Sequence, residues 1–135
     1  MRIRTLVVAA LVTTAASVGL AGCSSGTDAA SVSTIGATEL VEVVADPDVV
    51  VLDVRTPQEY AQGHVPGALN IDVSSPSFAD EIATLPKDVT YVVYCRSGNR
   101  SADAAARMAD AGFTDLYDVD AGLATLASAG VPLTQ

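Results

Sequence analysis

A strand-like run, a six-residue polar loop and an alanine-rich segment follow one another directly, and this order constrains the fold most. Residues 90–94 are β-branched or aromatic, and residues 101–111 have the composition of a helix. Between them lies the sequence Cys-Arg-Ser-Gly-Asn-Arg, residues 95–100, which we call the Cys95 loop. A strand, loop and helix in this order are typical of open α/β sheets, which bind ligands at the carboxyl ends of their strands.

The Cys95 loop has the composition of an anion site with a nucleophile in it. Backbone N–H groups of such a loop and of the first helical turn point at one spot, and the helix dipole adds to their effect. The same field favours the nucleophilic thiolate of Cys95. Two arginines add positive charge, and Gly98 permits a backbone conformation that other residues resist. We predict Cys95 as the catalytic nucleophile and the rest of the loop as substrate-binding: Arg96, Ser97, Gly98, Asn99 and Arg100.

Alternating strand and helix patterns run through the rest of the chain. A continuous β-branched run at 49–52 is typical of a strand buried on both faces. The predicted strands are 32–35, 49–52, 68–73, 90–94 and 113–119, and the predicted helices follow Thr38 and Thr56 and cover 77–85, 101–111 and 122–129. Gly112 is the expected C-cap of the fourth helix. This alternation predicts a three-layer α/β fold with a mainly parallel central sheet covered by helices on both faces.

Polar residues after the 49–52 strand are placed to reach the same edge of the sheet. Thr56, Pro57 and Glu59 form a capping box with a proline at the first helical position. We assign Arg55 to substrate binding, with a structural pairing to Asp53 or Glu59 as the alternative. Asp53 and Glu59 are predicted to lie behind the substrate and to orient the site.

Three motifs together resemble the single-domain rhodaneses. They are Asp53-Val54-Arg55, Gly63-His64-Val65-Pro66-Gly67-Ala68 and the Cys95 loop, and the resemblance extends over roughly 34–131. It implies a rhodanese-like fold and a sulfurtransferase that carries a sulfane sulfur as a Cys95 persulfide. The implied donor is thiosulfate or a similar small anion, and the implied acceptor is a thiol or cyanide. In this family the stretch around His64 is a structural signature, so the histidine is interpreted as structural.

Other functions for the same residues remain open at this point. A persulfide carrier without turnover, or a thiol redox or binding module serving a protein partner, would use the same loop. The absence of a second, resolving cysteine argues against a self-contained reductase. Four residues separate Cys95 from Arg100. Cysteine phosphatases, including the phosphatase branch of the rhodanese fold, have five residues between the two, and this difference argues against phosphate chemistry.

The end of the chain departs from the family pattern. Many members carry a glycine pair and a tryptophan there, whereas this chain has Ala121-Gly122 and no tryptophan. Leu123 and Leu126 are expected to fill the same core with less bulk.

The N-terminus has the pattern of an export signal. Arg2 and Arg4 precede a fifteen-residue apolar stretch, which is short for a membrane-spanning helix. Residues 20–23, Leu-Ala-Gly-Cys, resemble the lipobox of bacterial lipoproteins, in which the cysteine is lipidated. We predict a lipoprotein signal peptide at 1–22, a flexible tether at 23–33 beginning with lipidated Cys23, and a rhodanese-like domain at 34–135. The expected location is the cell envelope, outside the cytoplasm and lipid-anchored to a membrane.

The charge of the chain excludes several classes of partner. Seven Lys and Arg against 16 Asp and Glu give a net charge of −9, which argues against nucleic acid and against electrostatic binding to anionic lipid. The sequence has neither a His and Cys cluster of metal-ligand spacing nor a glycine-rich nucleotide loop. We therefore expect no metal, no cofactor and a monomer.

Overall fold

Runs of β-branched and aromatic residues form a parallel five-stranded sheet in the computed structural model, which describes residues 30–135. The predicted signal peptide, most of the tether and Cys23 lie outside the described residues. The strands are β1 (Ser31–Ile35), β2 (Val50–Asp53), β3 (Leu69–Asn70), β4 (Thr90–Tyr94) and β5 (Asp115–Val119). Their order is β1-β5-β4-β2-β3, and every neighbouring pair is parallel. The predicted α/β fold with a parallel central sheet is confirmed.

Five helices connect or follow these strands in the described range. They are α1 (Ala37–Val43), α2 (Pro57–Ala61), α3 (Phe78–Ala83), α4 (Asn99–Asp110) and α5 (Leu123–Ser128). The predicted capping box of α2 is present, because the Thr56 hydroxyl accepts from the Glu59 N–H while the Glu59 carboxylate accepts from the Thr56 N–H. Within residues 30–135 no helix is both long enough and apolar enough to span a bilayer.

Several predicted boundaries differ from the observed ones. Thr38 is not the N-cap of α1: the helix already begins at Ala37, and the Gly36 N–H donates to the Glu39 carboxylate at 2.8 Å. β1 begins at Ser31, inside the stretch predicted as tether. The C-cap of α4 is Ala111, and Gly112 follows it with a φ of +94°, so the predicted glycine lies one position further out.

The sheet separates two apolar layers. On one face, side chains of α3 and α4 such as Phe78 and Met108 pack against Leu52, Tyr91 and Val93. On the other face, α1 and α5 pack Leu40 and Leu126 against alternate side chains of the same strands. Leu126 is fully buried in the core as predicted, whereas Leu123 is only partly buried against the same layer.

The carboxyl edge of the sheet brings the predicted site residues together. Asp53 at the end of β2 is in register with Tyr94 at the end of β4, and Cys95 follows Tyr94 directly. The segments after β2 and β4 therefore leave the sheet side by side. This register places the Asp53-Val54-Arg55 segment next to the Cys95 loop.

Candidate active site

The thiol of Cys95 lies at the centre of a ring of donors. Its sulfur accepts a hydrogen bond from the Gly98 N–H at 3.0 Å and lies 3.7 Å from the Ser101 hydroxyl. Cys95 is a free cysteine and is completely buried. Since α4 begins at Asn99, the sulfur lies beneath the N–H groups of the first turn of that helix.

This surrounding shifts the acidity of the thiol. Burial by itself would raise the pKa of Cys95, but the N–H groups of Ser97, Ser101 and Gly98 and the Ser101 hydroxyl act in the opposite direction. The net result is a pKa below the ordinary value of a cysteine thiol. The loop therefore stabilises the thiolate, which is the form that attacks sulfur and carbon centres.

The turn of the Cys95 loop depends on Gly98. Its φ of +91° lies in the left-handed region, which residues with a Cβ rarely adopt. A Cβ at this position would also lie 3.1 Å from the Asp120 carboxylate. Gly98 is thus needed both for the conformation that aims its N–H at the sulfur and for the close approach of the loop to the β5–α5 turn.

Arg100 and Glu59 form an ion pair across the mouth of the site. Nη1 and Nη2 of Arg100 donate to the two oxygens of Glu59 at 2.9 and 2.8 Å. The guanidinium of Arg100, followed by the N–H and hydroxyl of Thr56, holds the pKa of Glu59 down to about 2 against the opposing effect of burial. In this conformation both terminal nitrogens of the Arg100 guanidinium are bound to the Glu59 carboxylate.

Arg55 is anchored by Asp53 and still faces the site. Its Nε and Nη2 donate to the Asp53 carboxylate, at distances from 2.6 to 3.1 Å, and Nη2 also donates to the Gly63 carbonyl. The Tyr94 hydroxyl donates to the same carboxylate at 2.5 Å. The alternative pairing of Arg55 with Asp53 is thus observed, and Arg55 also lines a cleft beside the Cys95 loop.

This cleft has a volume of about 360 Å³ and a mixed lining. Arg55, Glu59 and Arg96 contribute polar groups, and Leu123 and Ala124 at the start of α5 contribute an apolar wall. Cys95 does not line the cleft and has no exposed surface. The sulfur is therefore enclosed in this conformation, and Cys95 is not part of the cleft wall.

His64 has structural contacts. Its ring stacks on Tyr60 with centroids 3.6 Å apart, and Nδ1 lies 3.0 Å from the Tyr60 carbonyl. Its backbone N–H and C=O pair with Thr134 near the end of the chain. These contacts tie the loop after α2 to the C-terminal segment, away from the sulfur.

Two residues near Cys95 were not predicted as part of the site. Ser101 is fully buried, and its hydroxyl contacts the Cys95 sulfur and donates to the Gly98 carbonyl at 2.9 Å. Asp118 in β5 is a buried acid near Ser101. The available signals were a hydroxyl in the first turn after the loop and an aspartate between Tyr117 and Val119 in β5. Among residues 30–135 no three His, Cys, Asp or Glu side chains are grouped as ligands for a metal ion.

The sheet is parallel throughout, and the loop after its central strand surrounds a buried cysteine with backbone N–H groups. These features define an α/β protein whose candidate active site is a cysteine-containing loop. The Rhodanese-like domain model matches residues 36–129. The chain belongs to this family, and it is a rhodanese-type sulfurtransferase.

Relatives and solved structures agree with this assignment. The chain is 41% identical over 86 residues to thiosulfate sulfurtransferase GlpE of Pseudomonas aeruginosa, covering 64% of this chain and 76% of that enzyme; of the Pseudomonas putida enzyme of the same name it covers 64%. It is 35% identical over 103 residues to a sulfurtransferase of Allochromatium vinosum, covering 76% of this chain and 94% of that protein. The crystal structure of a rhodanese-related protein from Thermoplasma volcanium superimposes with a TM-score of 0.67 at 31% identity, covering 76% of this chain and 97% of that one.

Proposed function

We propose that this enzyme transfers a sulfane sulfur from thiosulfate or a similar small anion to a thiol or cyanide through a persulfide on Cys95. The observation that carries the proposal is the hydrogen bond of 3.0 Å from the Gly98 N–H to the Cys95 sulfur, in a loop whose N–H groups lower the pKa of the Cys95 thiol. The proposal extends to this chain the activity that the Pseudomonas relatives carry in their name.

The proposed chemistry balances without a cofactor. The Cys95 thiolate attacks the outer sulfur of thiosulfate, a new S–S bond forms, and the bond to the sulfonate sulfur breaks to release sulfite. The persulfide then has its outer sulfur attacked by cyanide or a thiolate, which leaves with that sulfur and restores the Cys95 thiolate. The loop N–H groups stabilise the anionic sulfur in both states.

The cleft beside the loop supplies the proposed substrate contacts. Arg96 is exposed and lines the cleft, so its guanidinium is available to an anionic donor. The side chain of Arg55 lines the same cleft, while Asp53 fixes its orientation. Arg100 is paired with Glu59, and we propose that it acts mainly by holding the first turn of α4 in place. Ser97, Gly98 and Asn99 contribute backbone N–H groups.

Intact mass of the full chain tests the proposal. Every variant carries Cys23→Ser, so that Cys95 is the single thiol. We expect one added sulfur atom after thiosulfate and its loss after cyanide, and neither change in Cys95→Ser. Sulfur gained but not released would instead identify a carrier. No gain, with the thiol shown to be free by titration, would contradict the thiosulfate reaction and favour a redox or binding role.

A matched pair of charge variants tests the role of Arg96. Arg96→Gln removes the exposed cation at the cleft, and we expect the KM for thiosulfate to rise about tenfold with little change in kcat. Lys87→Gln removes one positive charge outside the cleft and should leave both constants unchanged. Equal effects of the two variants would mean that Arg96 acts only through net charge.

We further propose that the protein is exported and anchored through lipid on Cys23, as a monomer. The sequence pattern at 1–23 and the Ser- and Gly-rich stretch after it support this proposal. Labelled fatty acid fed to a bacterial host should be incorporated into the wild type and not into Cys23→Ala. Equal labelling of both chains would remove Cys23 as the attachment site.

A further inference from the structure

We propose that Asp118 is a positioning residue for sulfur transfer, acting on the Cys95 sulfur through the hydroxyl of Ser101. The inference deepens the proposed function, since it rests on Cys95 being the reacting thiol. The carboxyl group of Asp118 is buried in the core under α4 and takes no part in the sulfur-transfer steps proposed above. Asp118 is 7% exposed, and its Oδ1 is buried without a hydrogen-bond partner among the described residues.

Strand register places Asp118 on the same face of the sheet as the Cys95 sulfur. Its partners are Thr34 in β1 and Val93 in β4, and Val93 belongs to the apolar layer that contains Cys95 and packs under α4. Side chains alternate along a strand, so Asp118 shares this face with Leu116. The carboxyl group therefore lies between the sheet and α4.

The Ser101 hydroxyl lies between the Cys95 loop and the end of β5. It lies 3.7 Å from the Cys95 sulfur, 2.9 Å from the Gly98 carbonyl and 3.3 Å from the Val119 carbonyl. Because Val119 directly follows Asp118, the hydroxyl also lies near the Asp118 carboxyl, whose pKa it lowers. A hydroxyl has a single proton to donate, so these groups compete for it.

The protonation of Asp118 decides this competition. An ionised Asp118 attracts the Ser101 proton and adds negative charge beside the sulfur, and both effects disfavour the Cys95 thiolate. A neutral side chain at 118 leaves the Ser101 hydroxyl free to donate to the thiolate. The carboxyl itself is under opposing influences: burial raises its pKa most, the Ser101 hydroxyl lowers it, and the negative charge of Asp120 raises it again.

This arrangement favours the sulfur-loaded enzyme. In a persulfide the negative charge is on the outer sulfur, about 2 Å further along the S–S bond. Cys95 packs in the apolar layer on the sheet and its sulfur accepts from the Gly98 N–H of the loop, so we infer that the outer sulfur extends toward the loop. Moving the charge away from Asp118 reduces the repulsion, and an ionised Asp118 therefore shifts the equilibrium from free thiolate toward persulfide.

The Cys95 pKa, measured from thiolate absorbance against a Cys95→Ser blank, tests the inference without any sulfur donor. The full chain is used, with Cys23→Ser throughout. We expect Asp118→Asn to lower this pKa by about one unit, and Asp118→Ser is the second neutral variant if the first fails to fold. In a Ser101→Ala background the effect of Asp118→Asn should fall to less than half. An undiminished effect would show direct charge repulsion and overturn the role of Ser101.

A second measurement follows the loaded state. At a fixed ratio of thiosulfate to sulfite, Asp118→Asn should hold less persulfide than the wild type at neutral pH. Asp103→Asn is the matched control, because it removes the same charge from the exposed side of α4, and it should change neither quantity. An unchanged Cys95 pKa in Asp118→Asn would overturn the inference. A wild type that takes up no sulfur would contradict the proposed function while the pKa comparison remains decisive for Asp118.

Discussion

Glu59 joins two parts of the site that are distant along the chain. It caps α2 through the Thr56 N–H and hydroxyl, and it receives both terminal nitrogens of Arg100 in the first turn of α4. Its side chain is 22% exposed, so solvent screens the pair only in part. One carboxylate thus caps α2 and also binds the first turn of α4.

The first prediction concerns the pH dependence of this pair. Glu59→Gln should lower the free energy of unfolding by about 1–2 kcal/mol at neutral pH. The pKa of Glu59 is lowered on folding, from 4.5 to about 2, so its contribution is complete above pH 4.5 and is lost as the pH falls through 2. The difference between wild type and variant, measured by urea unfolding, should shrink over that window.

Glu39→Gln is the control for this prediction. Glu39 also accepts from the N–H that precedes its helix, at 2.8 Å, but it is not paired with an arginine in the described structure. Its substitution should cost less than that of Glu59. A Glu59 difference that stayed constant from pH 6 to pH 2 would contradict the assignment of the lowered pKa to the Arg100 pair.

Residue roles set by local sequence were predictable, and roles set by contacts distant in the chain were not. The capping box of Thr56 and Glu59 depends on residues three apart, and it was predicted correctly. The pairing of Glu59 with Arg100 depends on how two helices meet, and the sequence analysis offered Glu59 only as one of two alternative partners of Arg55. The buried Asp118, whose Oδ1 has no hydrogen-bond partner among the described residues, likewise appears under α4 only once β5 is packed there.

At the level of elements, the turn between β5 and α5 supports the Cys95 loop from behind. Gly122 precedes α5 with an ordinary φ of −81°, so backbone conformation does not require glycine there. A Cβ at this position would lie 2.2 Å from the Arg96 carbonyl, closer than real Cβ contacts allow. Gly122 is the one glycine that this chain keeps of the family's glycine pair, and close packing against Arg96 requires it.

The second prediction follows from this contact. Gly122→Ala should push the Cys95 loop and the β5–α5 turn apart, lowering the free energy of unfolding by more than about 2 kcal/mol and reducing sulfur uptake. Urea unfolding and intact mass measure the two effects. Gly36→Ala is the matched control, because its Cβ would lie 3.7 Å from Glu39 at an ordinary φ of −89°; it should stay within about 1 kcal/mol of wild type.

The helices and strands could be predicted from local sequence patterns, whereas the order of the strands in the sheet could not. The strand at 90–94 matches the observed β4, because its side chains are buried along nearly its whole length and its pattern is unambiguous. The predicted strand at 68–73 shrinks to Leu69–Asn70, at the outer edge of the sheet where it has a single neighbour. The strand order is set by packing between segments distant in the chain, and periodicity carries no information on it.

Across the whole domain, burial differs between the centre and the edge of the sheet. β4 lies between β2 and β5 and is buried over four of its five residues. β1 pairs only with β5, and four of its five residues are exposed. Edge strands with few buried contacts open locally at lower free energy than the core.

The third prediction is a difference in hydrogen exchange. Hydrogen-bonded amides of β1 should exchange at least about tenfold faster than those of β4, because β1 opens without unfolding the sheet. Exchange monitored by NMR at several urea concentrations distinguishes the two modes, since local opening depends weakly on urea. Equal protection of β1 and β4 with the same urea dependence would show that the edge strand opens only with the whole domain.

The pairing of β1 with β5 also sets an order of events for a growing chain. β1 has its partner only when residues 115–119 are available, which come after every other strand of the sheet. A chain emerging from the ribosome therefore carries β1 unpaired until nearly all of the described sequence has been made, and contacts so distant in sequence form slowly. The strand that is synthesised first is therefore among the last to pair, so the sheet of a partly made chain stays incomplete.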